Sequence, residues 1–160
     1  MYWCSKLATE RSRMIAEFFK PGQVLCDMMC GIGPQAIKAA VKVKDFRAIA
    51  NDLNPEAVEC MKKNIQLNKV KDRVLPHCMD GRAFIRMVVD KDDTSAAKQS
   101  IPAKFLRFDH VFMNLPMIAV EFLDSFIGLF NNADKAIWTV GEEIALPMVH
   151  VYGFTTKGEK

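Results

Sequence analysis

Apolar residues along this chain come in short blocks parted by polar turns, and the spacing inside the blocks alternates between two kinds. Residues 7–19 bring Leu7, Met14, Ile15 and Phe18 towards one helical face, and Pro21-Gly22 ends that helix. Residues 23–28 form a short apolar run of the kind that makes a buried strand. Gly31-Ile32-Gly33-Pro34 is a tight turn, and residues 35–44 read as helix. Residues 47–51 are a second strand, and Pro55 opens a helix to about Asn68, since proline suits the first helical position. The pattern then repeats: strand at 73–79, helix at 81–89, strand at 109–113, helix at 116–130. Further strands are expected at 136–140 and 148–154, the second with the clearer pattern. Residues 90–104 are polar and read as a loop or insertion.

Strands alternating with helices predict βαβ units joined by right-handed crossovers, hence an α/β fold with a mostly parallel sheet and helices on both faces. In such sheets ligands bind beyond the C-terminal ends of the strands. The polar residues expected there are Asp27, Gly31, Gly33, Asp52, Asn54, Asp80 and Asn114. Four successive strands each end in an acid or an amide, which scattered surface polarity would not readily produce.

Gly31-Ile32-Gly33-Pro34-Gln35-Ala36 fits G-x-G-x-x-G/A, whose glycines permit a tight turn and close backbone approach to a ligand. Alone it is a weak signal, equally a glycine-rich strand-to-helix turn. Asp52 follows at the spacing of an acid that accepts two ribose hydroxyls. Asp-x-Asn-Pro is also good helix-capping chemistry, and both readings hold together with Asn54 as cap and Asp52 as ligand. A nicotinamide dinucleotide and S-adenosylmethionine each satisfy these features. Asp27, just before the glycine turn, favours the second, because a carboxylate attracts an ammonium group and repels a pyrophosphate. Asp80-Gly81 stands where an adenine amino group would be accepted, or where a helix is capped. Asn114-Leu115-Pro116 follows the fourth strand with an amide that both donates and accepts, suited to a heterocycle carrying a carbonyl beside an N–H; an Asx turn is the plain alternative.

Composition narrows this little. The 160 residues are enough for one domain. A net charge of +3 is too small to argue for nucleic acid on its own. Five cysteines without a C-x-x-C pair speak against a zinc ribbon and for reduced thiols inside a cell. His77, His110 and His150 are well separated and read as structural, so no metal is expected. No apolar run approaches the roughly 20 residues of a membrane span.

Taken in order, Tyr2-Trp3-Cys4-Ser5-Lys6-Leu7-Ala8-Thr9-Glu10, Asp27-Met28-Met29-Cys30-Gly31-Ile32-Gly33-Pro34, Asn51-Asp52-Leu53-Asn54-Pro55, Asn64-Ile65-Gln66-Leu67-Asn68-Lys69, Asp80-Gly81-Arg82, Met113-Asn114-Leu115-Pro116, Glu121-Phe122-Leu123-Asp124 and His150-Val151-Tyr152 resemble the Trm5-type tRNA (guanine-37-N1)-methyltransferase family. The ending is more like its eukaryotic members. The resemblance covers nearly the whole chain and implies a Rossmann-like class I S-adenosylmethionine-dependent methyltransferase fold, with tRNA as partner. It further implies a monomer inside the cell, in the cytoplasm, the nucleus or the mitochondrial matrix. It matches Glu10 to the general base, Asn114 to the residue holding the target guanine and Tyr2 to a tyrosine near that base. Pro116 is matched to the pocket wall, and Asp27, Asp52 and Asp80 to cofactor-contacting acids. A carboxylate removes the N1 proton as the methyl group arrives, and a donor to O6 stabilises the charge that develops. Without the resemblance, Glu10 reads as a solvated acid on an amphipathic helix.

The family also has an N-terminal tRNA-recognition domain, a segment before Tyr2 that supplies an arginine, and further C-terminal strands. Residues 1–160 are therefore expected to be a single truncated catalytic domain with weak or no activity by itself. Cys30 stands for the family's usual alanine, Gln35 for an apolar residue, and Lys6 for an arginine in some members. Three other functions are weighed against this one. They are aminocarboxypropyl transfer in the wybutosine pathway, opposed by Asn114-Leu115-Pro116; a nicotinamide-dependent oxidoreductase, opposed by Asp27; and an inactive RNA-binding remnant.

Overall fold

The computed structural model describes residues 7–153. Its centre is a five-stranded parallel sheet of β1 (Val24–Asp27), β2 (Arg47–Asp52), β3 (Val74–Cys78), β4 (His110–Asn114) and, last in the chain, β7 (Met148–Tyr152). The strand order β3-β2-β1-β4-β7 runs outward in both directions from β1. β1 carries Val-Leu-Cys-Asp with all four side chains buried, as expected for a central parallel strand covered on both faces. The reversal of direction between β1 and β4 makes the carboxyl ends of those two strands the switch point where such sheets open a crevice.

Helices cover both faces. α1 (Ala8–Glu17), α2 (Pro34–Lys42) and α3 (Pro55–Leu67) share one apolar layer, in which Met14, Ile15, Ala36, Ala40, Val58 and Met61 pack on Leu25, Ala48 and Ala50. On the other face α4 (Gly81–Val89) puts Phe84, Ile85 and Val88 against Cys26, Ile49 and Val111, with Phe105, Phe108 and Trp138 beside them. Alternation along the strands assigns these neighbours: Leu25 faces one layer and Cys26 the other.

The start of each helix is fixed locally. Gly33 precedes α2 with φ +84, and a Cβ there would lie 2.9 Å from the Ile37 side chain and 3.0 Å from that of Met61, so the turn requires glycine. Asn54 caps α3 by accepting from the Glu56 N–H, and Pro55 takes the first helical position. Asp80 caps α4 through the N–H groups of Arg82 and Ala83, both at 3.0 Å.

Two stretches differ from the sequence expectation. Residues 116–130 do not form an α-helix; 3-10 turns at Ala119–Phe126 and Leu129–Asn132 flank Gly128, which has φ +68. Side chains bond this segment in its 3-10 form: the Glu121 carbonyl accepts from Arg82 at 3.1 Å and the Phe122 carbonyl from the Ser125 hydroxyl at 2.6 Å. Of the strand expected at 136–140 only the last two residues are extended; residues 136–138 belong to a turn of helix, α6 (Lys135–Trp138), capped by Asp134. A small hairpin follows, made of β5 (Thr139–Val140) and β6 (Glu143–Ile144). Buried Trp138 anchors this segment between Phe108 and Phe130, a tertiary contact that the local pattern does not show. The polar stretch 90–104 holds one helical turn, α5 (Ala96–Gln99), capped by Ser95, and the last strand stops at Tyr152.

Candidate functional site

Because the strands are parallel and in register, the residues that end them share one rim. Asp27 pairs with Ala50 and Phe112, and Asn114 with Tyr152. Asp27, Asp52, Asp80 and Asn114 accordingly gather at the carboxyl edge of the sheet, where the sequence placed them.

Asp27 is 1% exposed, and its Oδ1 has no hydrogen-bond partner among the described residues. Burial pushes its carboxyl well above the ordinary carboxylate range; the nearby charge of Asp52 adds to this, while the Met29 N–H and Arg11 oppose it. A buried acceptor without a donor is costly, and a cationic donor is the partner that would relieve it. Asp52 holds the glycine turn from the next strand: its Oδ2 accepts from the Gly31 N–H at 2.7 Å and its Oδ1 from the Asn54 N–H at 2.9 Å. Gly31 sits at φ +58 with open space where a Cβ would lie, which leaves room for a ligand along the turn. The capping alternatives for Asn54 and Asp80 are realised, and Asp80 keeps its Oδ2 outside the cap bonds. Gly81 lies under Phe122, whose ring a Cβ would meet at 3.2 Å. Arg82 clamps that 3-10 segment over the start of α4. Its guanidinium stands 4.1 Å from the Phe122 ring centroid, and its Nε bonds both Asp124 oxygens at 2.8 and 3.1 Å.

Asn51 is the residue that sequence reasoning missed. The pattern makes it the end of an apolar strand and the resemblance places it in a motif, neither giving it a role of its own, yet it is fully buried. Its Nδ2 donates to the carbonyls of Met28, at 3.1 Å, and Met79, at 2.8 Å, while its Oδ1 accepts from the Met79 N–H at 3.0 Å. One side chain thereby ties Met28, next to Asp27 at the end of β1, and Met79, next to Asp80 at the start of α4, to the end of β2. Its only sequence signal was an amide where a buried strand should be apolar. Each lost buried hydrogen bond costs about 1 kcal/mol, so Asn51→Ala is expected to lower stability by roughly 2–4 kcal/mol. Urea unfolding checks this as a fall in midpoint at constant slope; a change below about 0.5 kcal/mol would show the tie to be dispensable.

Across the rim, Leu7, Glu10, Arg11, Met14, Phe112, Asn114 and Tyr152 line a small depression. Glu10 projects from α1 and Asn114 from β4, so two side chains 104 positions apart meet here. Glu10 Oε1 accepts from the Tyr152 hydroxyl at 2.5 Å, and Oε2 from Arg13 at 2.8 Å. The Arg13 hydrogen bond, with that of Tyr152 after it, holds the Glu10 carboxyl down to about 2, while burial and Glu10 push the Tyr152 phenol up to about 12. Asn114 Oδ1 is buried without a partner among the described residues. Tyr152 was visible in the sequence as part of a motif, but the side chain it bonds lies on another element. Pro116 does not line the depression; its carbonyl faces Gly153. Tyr2 lies outside the described residues. His110 and His150 contact each other at 3.1 Å between β4 and β7, and among the described residues no three metal-ligating side chains come together.

The family profile described as TRM5/TYW2 methyltransferase domain matches residues 1–137. A tRNA (guanine(37)-N(1))-methyltransferase 1 of Vitis vinifera is 42% identical over 97% of this chain, and the chain spans 22% of that relative. Among solved structures, Trm5b from Pyrococcus abyssi is 34% identical with a TM-score of 0.58, over 80% of this chain and 32% of that one. TYW2 of M. jannaschii, crystallised with AdoMet, is 26% identical with a TM-score of 0.57, over 81% of this chain and 50% of that one. Sheet order, rim chemistry and these likenesses agree: the fold is the Rossmann-like fold of S-adenosylmethionine-dependent methyltransferases, and the chain belongs to the TRM5/TYW2 methyltransferase domain family.

Proposed function

We propose that this chain is the catalytic unit of a tRNA methyltransferase that moves the methyl group of S-adenosylmethionine to N1 of guanosine 37. The observation that carries the reading is the meeting of Glu10, Asn114 and Tyr152 in one depression, on the same sheet rim as the buried Asp27 carboxyl, whose Oδ1 has no partner among the described residues. The rim fits the cofactor named in the M. jannaschii TYW2 structure. Asp27 offers its free oxygen to the ammonium group, Asp52 has lone pairs left for ribose hydroxyls, and Asp80 for the adenine amino group. When bound, the cofactor supplies an electrophilic methyl on a sulfonium.

The protein does the remaining work. Leu7, Met14 and Phe112 give the depression an apolar lining; it is closed in this form, so its walls must part for a flat purine to enter. The Asn114 amide donates to O6, where negative charge grows as N1 loses its proton. Glu10, already a carboxylate, accepts that proton. The Arg13 and Tyr152 donors must loosen from Glu10 as the guanine arrives, because a carboxylate held at about 2 is a weak base. The reading also carries a monomer working in an intracellular compartment where tRNA is found: cytoplasm, nucleus or mitochondrial matrix. Among the described residues no helix is long and apolar enough to cross a membrane.

The test is transfer of labelled methyl from S-adenosylmethionine to tRNA transcripts with guanosine or adenosine at position 37, with the product nucleoside weighed by mass spectrometry. A methylated guanosine found only in the first transcript supports the proposal. An aminocarboxypropyl mass, or label independent of the base at 37, overturns it.

A further inference from the structure

Behind the Glu10 depression lies a second, larger opening that the methyl transfer leaves unused. Arg11 of α1, Ile32 of the glycine turn, Lys38 and Lys42 of α2, and Asn64 of α3 border a groove of about 440 Å³. Three cations face it and no carboxylate lines it. Elsewhere Arg13 pairs with Glu10 and Glu17, Lys62 with Glu59, Arg82 with Asp124 and Arg107 with Asp109, while Arg47, Arg73, Lys98 and Lys104 bond backbone carbonyls. In the groove Lys38 instead donates to the Ser12 hydroxyl at 2.7 Å, which ties α2 to α1 and holds the ammonium in place. Arg11 Nε is buried without a partner among the described residues. Asn64 gives its Nδ2 to the Ile32 carbonyl at 3.1 Å, bracing the glycine turn from α3.

Arg11 also lines the depression with Glu10 and Asn114. A polymer whose base enters the depression therefore has its backbone at the mouth of the groove. We infer that the groove is a phosphodiester track: Arg11, Lys38 and Lys42 hold the RNA backbone beside the nucleotide that is methylated. Nucleic-acid phosphates are recognised by such clusters of arginine and lysine, which set the position of the strand without reading its sequence. The small net charge of the chain does not oppose this, because three of its 22 Lys and Arg residues meet in one groove that no acid lines. The inference rests on the tRNA reading above and adds to it the surface that aims the strand.

Binding of a fluorescent tRNA transcript carrying guanosine 37 is measured over a salt series. The proteins are the wild-type chain, Lys38→Gln/Lys42→Gln, Lys42→Gln alone, and a control, Lys91→Gln/Lys135→Gln, which removes equal charge from the other layer. Each lost phosphate contact lowers the salt slope by about one. The groove double variant is expected to bind about tenfold more weakly at low salt, with a slope lower by about two. Lys42→Gln, whose side chain bonds nothing else among the described residues, should show about half of that effect. Unchanged S-adenosylmethionine affinity and unfolding midpoint separate this from loss of fold. Equal affinity and slope in wild-type and groove variants would overturn the track while leaving the methyltransferase reading intact; no tRNA binding by the wild-type chain would overturn both.

Discussion

Asp27→Asn is expected to make the free protein more stable and the cofactor complex much weaker. The wild-type carboxyl is buried, short of donors and near Asp52, so its neutral form is favoured in the folded state. Its folded pKa is raised above the unfolded value of about 3.9. The sign follows: whatever stability this group contributes is fully present below the unfolded value and is lost as pH rises through the folded one. An amide in its place removes that loss, and the neutral-pH unfolding midpoint should rise. The same amide no longer offers a charge to an ammonium group. Truncating one partner of a buried charged pair costs about 2 kcal/mol or more, so S-adenosylmethionine should bind the variant at least about thirtyfold more weakly. Wild-type binding should also release a proton, because the ligand's cation favours the ionised form of Asp27. Calorimetry in buffers of differing ionisation enthalpy reads that proton directly. Unchanged affinity in Asp27→Asn, or binding with no proton released from the wild type, would remove Asp27 from the cofactor site.

The sequence made most of this rim legible, because parallel β/α topology turns chain position into spatial position. Once Asp27, Asp52, Asp80 and Asn114 each end a strand, the sheet brings them to one edge. The Asn54 cap was likewise readable, since capping has a fixed local geometry. What stayed hidden depends on contacts between distant segments. Asn51 looked like part of an apolar strand; its tie between the Met28 and Met79 loops exists only when three strands are side by side. The helical pattern at 116–130 gives way to 3-10 turns around Gly128, and Arg82, 39 residues before Glu121, clamps that segment through the Glu121 carbonyl and Asp124, contacts the local pattern does not show. The groove of Arg11, Lys38 and Lys42 was invisible as a charge cluster because its cations come from two helices on a nearly neutral chain.

Glu10→Gln is the substitution expected to cost the most activity. Amide and carboxylate have the same shape, so the depression should keep its packing, while the group that takes the N1 proton is gone. A positioned general base contributes roughly 10²–10⁴-fold, and turnover on guanosine-37 tRNA should fall by that factor with S-adenosylmethionine affinity unchanged. The pH behaviour adds a sharper check. Arg13 and Tyr152 hold the Glu10 carboxyl down to about 2, so it stays ionised through the mildly acidic range, and no loss of activity there should trace to it. Removing the hydroxyl in Tyr152→Phe deletes a donor that favours the ionised form, and the Glu10 pKa should move up towards the ordinary carboxylate range. A carbon-13 NMR titration of the Glu10 carboxyl reads that movement whether or not catalysis survives. The variant should also begin to lose kcat/KM at a higher pH than wild type on the acid side. Retained turnover in Glu10→Gln would take the base role from this residue and return it to the solvated acid that an amphipathic helix would carry in any case. A Glu10 pKa unmoved by Tyr152→Phe would mean that Arg13 alone sets the charge in the depression, leaving Tyr152 only to pack against Phe112.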